Sequence, residues 1–291
     1  MLYRPADTWP SGSPQIVRFA EVLRGICVDA ADRVYAVGAS EVRVYDAGGV
    51  LLRRWTTAHP GYGVAVARDG VVHVGQDGQV ERYDEAGRLR GTFRDGDRLG
   101  RVTAIGWTDE CLLVADATHR CIRCYDHTGK WRNDIGADTR TKGFLMPNGW
   151  LDFVVDGDGI LHVAHPAKFR VERYAAGGKL LGSFGRFGTR ALEDFTGCCN
   201  PTNLARARDG RILVTEKAPA RAKVFDAGGR MVALIPPEAF DQNSKNMDIA
   251  VDSRGRVFIA DTARKQILAF VPAESPVSAP ATAASREASY P

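Results

Sequence analysis

Two adjacent thiols are the residues of this chain best placed to do chemistry. They lie in Phe195-Thr-Gly-Cys198-Cys199-Asn200-Pro201-Thr-Asn203, followed by Thr215-Glu216-Lys217 and Arg221-Ala-Lys223. In a Gly/Asn/Pro turn such a pair has three readings. The thiols are ordinary reduced side chains at a loop rim, or a strained vicinal disulfide that is readily reduced, or two thiolates offered to a soft metal such as Cu(I) or Zn. Lys217 and Arg221 would lower a thiol pKa if they reach it. His119, His165, Lys168 and Arg264 stand on other short polar loops; with Cys198, Cys199, Asn200, Asn203, Glu216, Lys217 and Arg221 they form the candidate ligand-binding set. His119 and His165 are expected at the surface, on neighbouring loops that could share one mouth.

The remaining cysteines and histidines read as structural. Cys27 and Cys111 sit in apolar strand contexts and suit a core. Cys121-Ile-Arg-Cys124 has a CxxC spacing, but residues three apart on a strand face opposite sides and cannot jointly hold a metal. Tyr125 follows where a c-type haem site needs His. His73 and His162 both stand third in a β-branched run, a repetition expected from packing with a local hydrogen bond, while His59 and His127 fall at solvent-facing turns. No Ser/His/Asp signature, phosphate-binding loop, dinucleotide fingerprint or dense His cluster is present.

The elements that must position these residues come from a repeat. A turn between two apolar strands recurs at Asp32, Asp69, Asp109, Asp158, Asp209 and Arg254, at spacings of 37, 40, 49, 51 and 45 residues. Periods of about 40 to 50 with strand patterning indicate propeller blades. Each second strand is a short run such as Val34-Tyr-Ala-Val, Ile160-Leu-His-Val or Val257-Phe-Ile-Ala, and five third strands end on an aromatic, at Tyr45, Tyr83, Tyr125, Tyr174 and Phe225. The aromatic can fill the space between sheets, and the Asp and Gly that follow supply a turn. The expected fold is all-β: a six-bladed β-propeller over residues 15–271, after an N-terminal extension at 1–14 and before an Ala/Ser/Pro-rich disordered tail at 272–291. The sixth repeat lacks its outer strand, and Gln15 to Val22 is apolar enough to supply it, closing the ring by pairing the termini.

Composition narrows the partners. With 291 residues and 44% hydrophobic content the chain can bury a large core, and a net charge of +4 without a Lys/Arg block argues against nucleic acid. Nothing reads as a membrane span or an export signal, so a cytoplasmic protein with reduced thiols is expected if Met1 is the native start.

Val114-Ala-Asp-Ala-Thr-His-Arg-Cys-Ile-Arg-Cys-Tyr-Asp and Ile259-Ala-Asp-Thr-Ala-Arg-Lys-Gln-Ile resemble NHL repeats, and the Gly-Cys-Cys-Asn-Pro segment is similar to a subset of bacterial NHL-like propellers. The resemblance implies that Asp116, Asp261 and Glu216 bond loop backbone rather than substrate. It implies a scaffold that family members use for protein, RNA or small-molecule binding and, in a few, for lyase chemistry; the charge of this chain leaves protein or small-molecule binding as the expectation. Met146-Pro147-Asn148-Gly149 and Asn246-Met-Asp248 resemble segments of gluconolactonase-like propellers, which implies Asn148 and Asp248 as ligands of a divalent ion. Arg101-Val-Thr103 departs from that pattern, and Glu21 is the only acid near the first blade's entry. The leading expectation is a module that captures a small ligand or a protein on the polar channel face of blades 3 to 6. A metal-dependent lactonase and a Cys198/Cys199 redox or soft-metal protein are the alternatives.

Overall fold

The computed structural model describes residues 3–11, 14–137, 139 and 141–273. Six four-stranded antiparallel sheets surround a central channel. From the channel outward, blade 1 comprises Gly25–Val28, Val34–Gly38, Glu41–Tyr45 and Leu51–Thr56, and blade 2 Gly63–Val66, Val72–Gln76, Gln79–Tyr83 and Leu89–Phe93. Blade 3 comprises Val102–Trp107, Leu112–Asp116, Cys121–Tyr125 and Trp131–Ile135, and blade 4 Phe153–Val155, Leu161–His165, Arg170–Tyr174 and Leu180–Phe184. Blade 5 comprises Leu204–Arg206, Ile212–Lys217, Ala220–Phe225 and Met231–Ile235. Blade 6 takes Ile249–Val251, Val257–Asp261 and Gln266–Pro272 from the C-terminal end and Tyr3–Pro5 from the N-terminal end.

The ring therefore closes by pairing the two termini, but not through Gln15 to Val22. Tyr3, Arg4 and Pro5 pair with Pro272, Val271 and Phe270, so part of the expected N-terminal extension belongs to the propeller. Residues 14–17 form a 3-10 turn, and Phe19 N–H donates to Lys265 O. The apolar residues of this segment mark a crossing from the rim to the channel: Val17, Phe19 and Leu23 are buried beside Ile26 and Ile267 between blades 6 and 1. Of the expected tail, Pro272 ends the last strand and 274–291 lie outside the described residues.

The aromatic that ends each third strand of blades 1 to 5 sits at a register shift, where a bulge in the pairing bends the strand. Each is buried and meets an aromatic across a blade junction: Trp55 with Tyr83, Phe93 with Tyr125, Phe144 with Tyr174, and Phe184 with Phe225. Phe240 and Phe270 seal blades 5 and 6, and Trp9, from the N-terminal segment, packs against Tyr45 and Phe258 to seal blades 6 and 1. Such contacts contribute ~0.5–1.5 kcal/mol each beyond their buried area.

Cys111, just before the second strand of blade 3, and Cys124, on the third, are joined as a disulfide, which corrects the expectation of reduced thiols at this pair. The strands bring their α-carbons to 5.8 Å, within the span a disulfide bridges. Cys121 stays unbonded, and burial pushes its thiol up to about 12. Among the described residues, no helix is long and apolar enough to cross a membrane.

A single position controls how tightly blade 1 accepts the crossing segment. At Gly38 an added Cβ would lie 1.8 Å from Val22 O and 2.9 Å from Leu23 Cα, both backbone atoms. Gly38→Ala is expected to cost about 3 kcal/mol or to prevent folding, whereas Gly177→Ala, with nothing within 4 Å, should change urea stability by less than ~0.5 kcal/mol.

Candidate functional site

The last residue of each second strand, or in blade 5 the one before it, faces the loop that enters its blade, and the six positions solve one problem in six ways. In blade 1 it is Gly38, against which the incoming backbone packs. In blade 2 Gln76 Nε2 donates to His59 O at 2.7 Å. In blade 3 Asp116 accepts from Gly100 N and His119 N at 2.9 and 3.0 Å. In blade 4 His165 Nε2 accepts from Leu145 N at 3.0 Å, so Nδ1 carries the proton and donates to Glu172 at 2.9 Å. In blade 5 Glu216 binds Arg221 and Lys223, and Lys223 Nζ donates to Asp194 O at 2.6 Å. In blade 6 Asp261 accepts from Asp241 N and Arg264 N, both at 3.0 Å, and from Ser244 Oγ. The five polar side chains are all fully buried.

Several expected site residues are thereby accounted for. Asp116 and Asp261 bond loop backbone. Glu216 does so through its two buried partners, Lys223 and Arg221, which both donate to Asp194 O. His165 is fully buried with both ring nitrogens engaged, which overturns the expectation of a surface histidine; its loop position concealed that the side chain turns inward to Glu172. Burial opposes ionisation of Glu172, yet the hydrogen bonds from His165, Tyr174 and Arg170 bring it down to about 2. Asn200 is buried and clamps its own turn, donating to Thr196 O and Ala218 O and accepting from Lys217 N. His119 is exposed but tied to Asp116 at 2.7 Å. Lys168 reaches Glu172 and lines a groove between blades 3 and 4, and Arg264 holds Ala239 O. His73 and His162 are buried with one hydrogen bond each, to Val71 O and Asp156, as expected.

A second set of six was not legible as a motif. The residue immediately before each innermost strand stands at the channel mouth: Arg24, Tyr62, Arg101, Asp152, Asn203 and Asp248. The first three form a basic and aromatic half, with the Arg24 and Arg101 guanidiniums 4.4 and 4.8 Å from the Tyr62 ring centre and Asp77 accepting from Tyr62 Oη and pairing with Arg101 at 3.2 Å. The other three form an acidic and amide half. Asp152 accepts from Leu204 N at 2.6 Å, Asp248 accepts from Ile26 N at 2.7 Å, and Asn203 Nδ2 donates to Asp248 at 3.3 Å. Asn203 Oδ1 is buried without a partner among the described residues.

Both carboxyls face a channel cavity of about 210 Å³ lined by all six innermost strands. Burial pushes the Asp248 carboxyl up to about 7, against the hydrogen bonds from Ile26, Ile249 and Asn203. Burial, and then repulsion from Asp248, hold Asp152 well above the usual carboxylate range. The turn at Met146 to Trp150 roofs the mouth: Asn148 Nδ2 donates to Asn246 Oδ1 at 2.7 Å on one side, and Trp150 packs edge-on to Tyr62 on the other. Asn148 and Asp248, paired in sequence as metal ligands, are thus a roof residue bonded to an amide and a channel carboxyl bonded to backbone. Among the described residues no three His, Cys, Asp or Glu side chains converge as a metal cluster.

The thiols lie on the rim of blade 5. Cys198 is exposed and Cys199 buried, with their sulfurs 3.0 Å apart. The Cys199 thiol and, behind it, the Lys217 ammonium hold Cys198 below the usual thiol value, while burial and then Cys198 push Cys199 up.

Two outcomes test this division of roles. Between a carboxyl's ordinary value of 3.8 and about 7 the native protein holds the Asp248 proton that the unfolded chain releases. Stability should therefore fall as pH rises through that window, by on the order of 2 kcal/mol, and Asp248→Asn should flatten the fall in urea titrations at about pH 5 and 8. His165→Ala, which strips a buried carboxylate and the Leu145 N–H of a partner, should cost ~2–4 kcal/mol.

No protein-family model matches the chain, and no curated protein matches it. Among solved structures it is similar to a streptogramin B lyase, with a TM-score of 0.59 and 13% identity over 86% of this chain and 78% of that one. A catalytically inactive virginiamycin B lyase from Staphylococcus aureus with quinupristin gives 0.59 and 12% over 85% and 80%, and the WD40 β-propeller domain of Doa1 gives 0.59 and 12% over 87% and 79%. At these identities the likeness is one of fold, and the fold is a six-bladed β-propeller.

Proposed function

We propose that the protein is a ligand-binding propeller whose site is the roofed channel mouth and whose ligand is a small polar molecule with an anionic group. The observation that carries this reading is the division of the six mouth residues into a half with two guanidiniums around Tyr62 and a half with two carboxyls and an amide. Arg24 and Arg101 would take a carboxylate or phosphate oxygen, Tyr62 and Trp150 would supply an apolar edge, and a carboxyl kept protonated by burial would donate to a neutral oxygen. Asn148 and Asn203 add amide contacts. The charged loops of blades 3 to 6, first expected to form the face, contribute less than anticipated because Glu216, Arg221 and His165 are committed within the fold. The NHL-like repeats, with their loop-binding Asp116 and Asp261, are part of the same proposal: a rigid scaffold whose loops bind.

A metal-assisted hydrolase is the second reading, favoured by the unpartnered Asn203 Oδ1 beside Asp248. Asp152, Asp248 and Asn203 are hard oxygen donors of the kind that hold Ca²⁺, with Asn148 above them, but only when the carboxyls are ionised. Asp248, near neutrality, would then serve ion binding at alkaline pH and proton transfer below it.

Calorimetric titration with a panel of small carboxylates and phosphate esters tests the first reading. At least one should bind, more weakly as salt rises, and Arg24→Ala and Arg101→Ala should each cost about tenfold in affinity. Retained affinity in both variants would sink it. Calcium that raises the melting temperature in wild type at about pH 8 but not in Asp248→Asn would instead favour the hydrolase.

A further inference from the structure

The adjacent thiols of blade 5 are used by neither the fold nor the channel mouth, yet the structure holds them in place. Thr196 Oγ1 and Asn200 Nδ2 both donate to Ala218 O, at 3.0 and 3.2 Å, and Asn200 Oδ1 receives Lys217 N–H at 2.8 Å. The turn carrying the thiols is thus pinned on both flanks to the loop that presents Lys217. Within it the sulfurs are 3.0 Å apart, one open to solvent and one enclosed. Exposed nucleophile, enclosed neighbour and adjacent cation are the parts that a two-step exchange requires.

We propose that Cys198 and Cys199 form a thiol–disulfide exchange site for small, unhindered disulfides, with Cys198 as the attacking sulfur and Cys199 as the resolving one. In the first step the Cys198 thiolate attacks one sulfur of R–S–S–R. The R–S–S–R bond breaks, a Cys198–S–S–R bond forms, and the departing RS⁻ takes up a proton. In the second step Cys199 gives its proton to solvent and attacks the Cys198 sulfur, expelling the second RS⁻, which is protonated in turn. Two protein thiols are oxidised to a vicinal disulfide, and one small disulfide is reduced to two thiols. The strain of the small ring favours the reverse course when a dithiol is in excess. Lys217 is a positioning residue that stabilises the attacking thiolate.

No other cysteine fits this role. Cys111 and Cys124 are already joined, and burial pushes Cys121 and Cys27 toward the inert thiol form.

The test uses the full chain, reduced without breaking the Cys111–Cys124 bond as verified by mass, then mixed with glutathione disulfide, quenched with an alkylating agent and mapped by peptide mass spectrometry. Wild type should lose two hydrogens on the peptide holding Cys198 and Cys199 and carry no glutathione. Cys199→Ser should stop at a stable glutathione adduct on Cys198, and Cys198→Ser should react at least tenfold more slowly. Lys217→Gln should slow the first step ~3–10-fold and move the midpoint of its pH–rate profile upward, a readout a purely structural lysine would not shift. Circular dichroism checks that each variant is folded. Unchanged reaction in Cys198→Ser, or oxidation mapping to Cys27 or Cys121, would overturn the proposal, as would a wild-type protein that accumulates only the mixed adduct.

Discussion

The ring depends on how six loops cross from the rim of one blade to the channel of the next. Each crossing brings backbone N–H and C=O groups into a space with no strand to pair with, where an unmet group costs about 1–3 kcal/mol. A residue at or next to the end of each second strand meets that demand. Gln76, Asp116, His165 and Asp261 do so directly, Glu216 does so through Lys223 and Arg221, and Gly38 leaves room for the incoming backbone, whose Arg24 N–H donates to Val37 O. The chemistry differs from blade to blade because the loops differ in length and present a donor in one place and an acceptor in another. A carboxylate suits an approaching N–H; a lysine or an amide N–H suits a carbonyl. Aromatic pairs at the six junctions then fill the wedge between sheets that diverge outward.

What the sequence disclosed follows from which interactions are local. Turn carboxylates such as Asp46 and Asp126 bond N–H groups two and four residues on, so they recur at a fixed place and reveal the period. The aromatics at Tyr45, Tyr83, Tyr125, Tyr174 and Phe225 are tied to a bulge in their own strand and were equally visible. The roles of Asp116 and Asp261 could be carried over because part of their bonding is to the turn that follows them.

Long-range placement was hidden. Gln15 to Val22 is apolar because it passes between two blades, and a buried crossing carries the same composition as a strand. Tyr3–Pro5, three residues long, left no pattern. His165 and Glu216 resemble site residues because charged loop termini resemble one another until their partners are known. Arg24, Tyr62 and Asp152 stand out in no motif, because the turns that mark the repeat lie far from them and the six entry positions share no single residue type. Aligned on the start of the innermost strand, they fall at one position, and the change in character from blades 1–3 to blades 4–6 becomes visible.

The outermost strand of blade 6 also has a consequence for the order of assembly. Tyr3 pairs with Pro272, so the strand Tyr3–Pro5 has no partner until Phe270, Val271 and Pro272 have been made. Blades 1 to 5 can each form from contiguous chain as it emerges, since their strands are neighbours in sequence. Blade 6 and the Trp9 seal cannot. Until Gln266–Pro272 has been made the propeller is an open arc, with the flank of blade 1 uncovered and Tyr3–Pro5 unpaired. Circular closure is thus the last step in assembling the ring, and a chain cut short anywhere in blade 6 would leave that flank exposed to association with other chains.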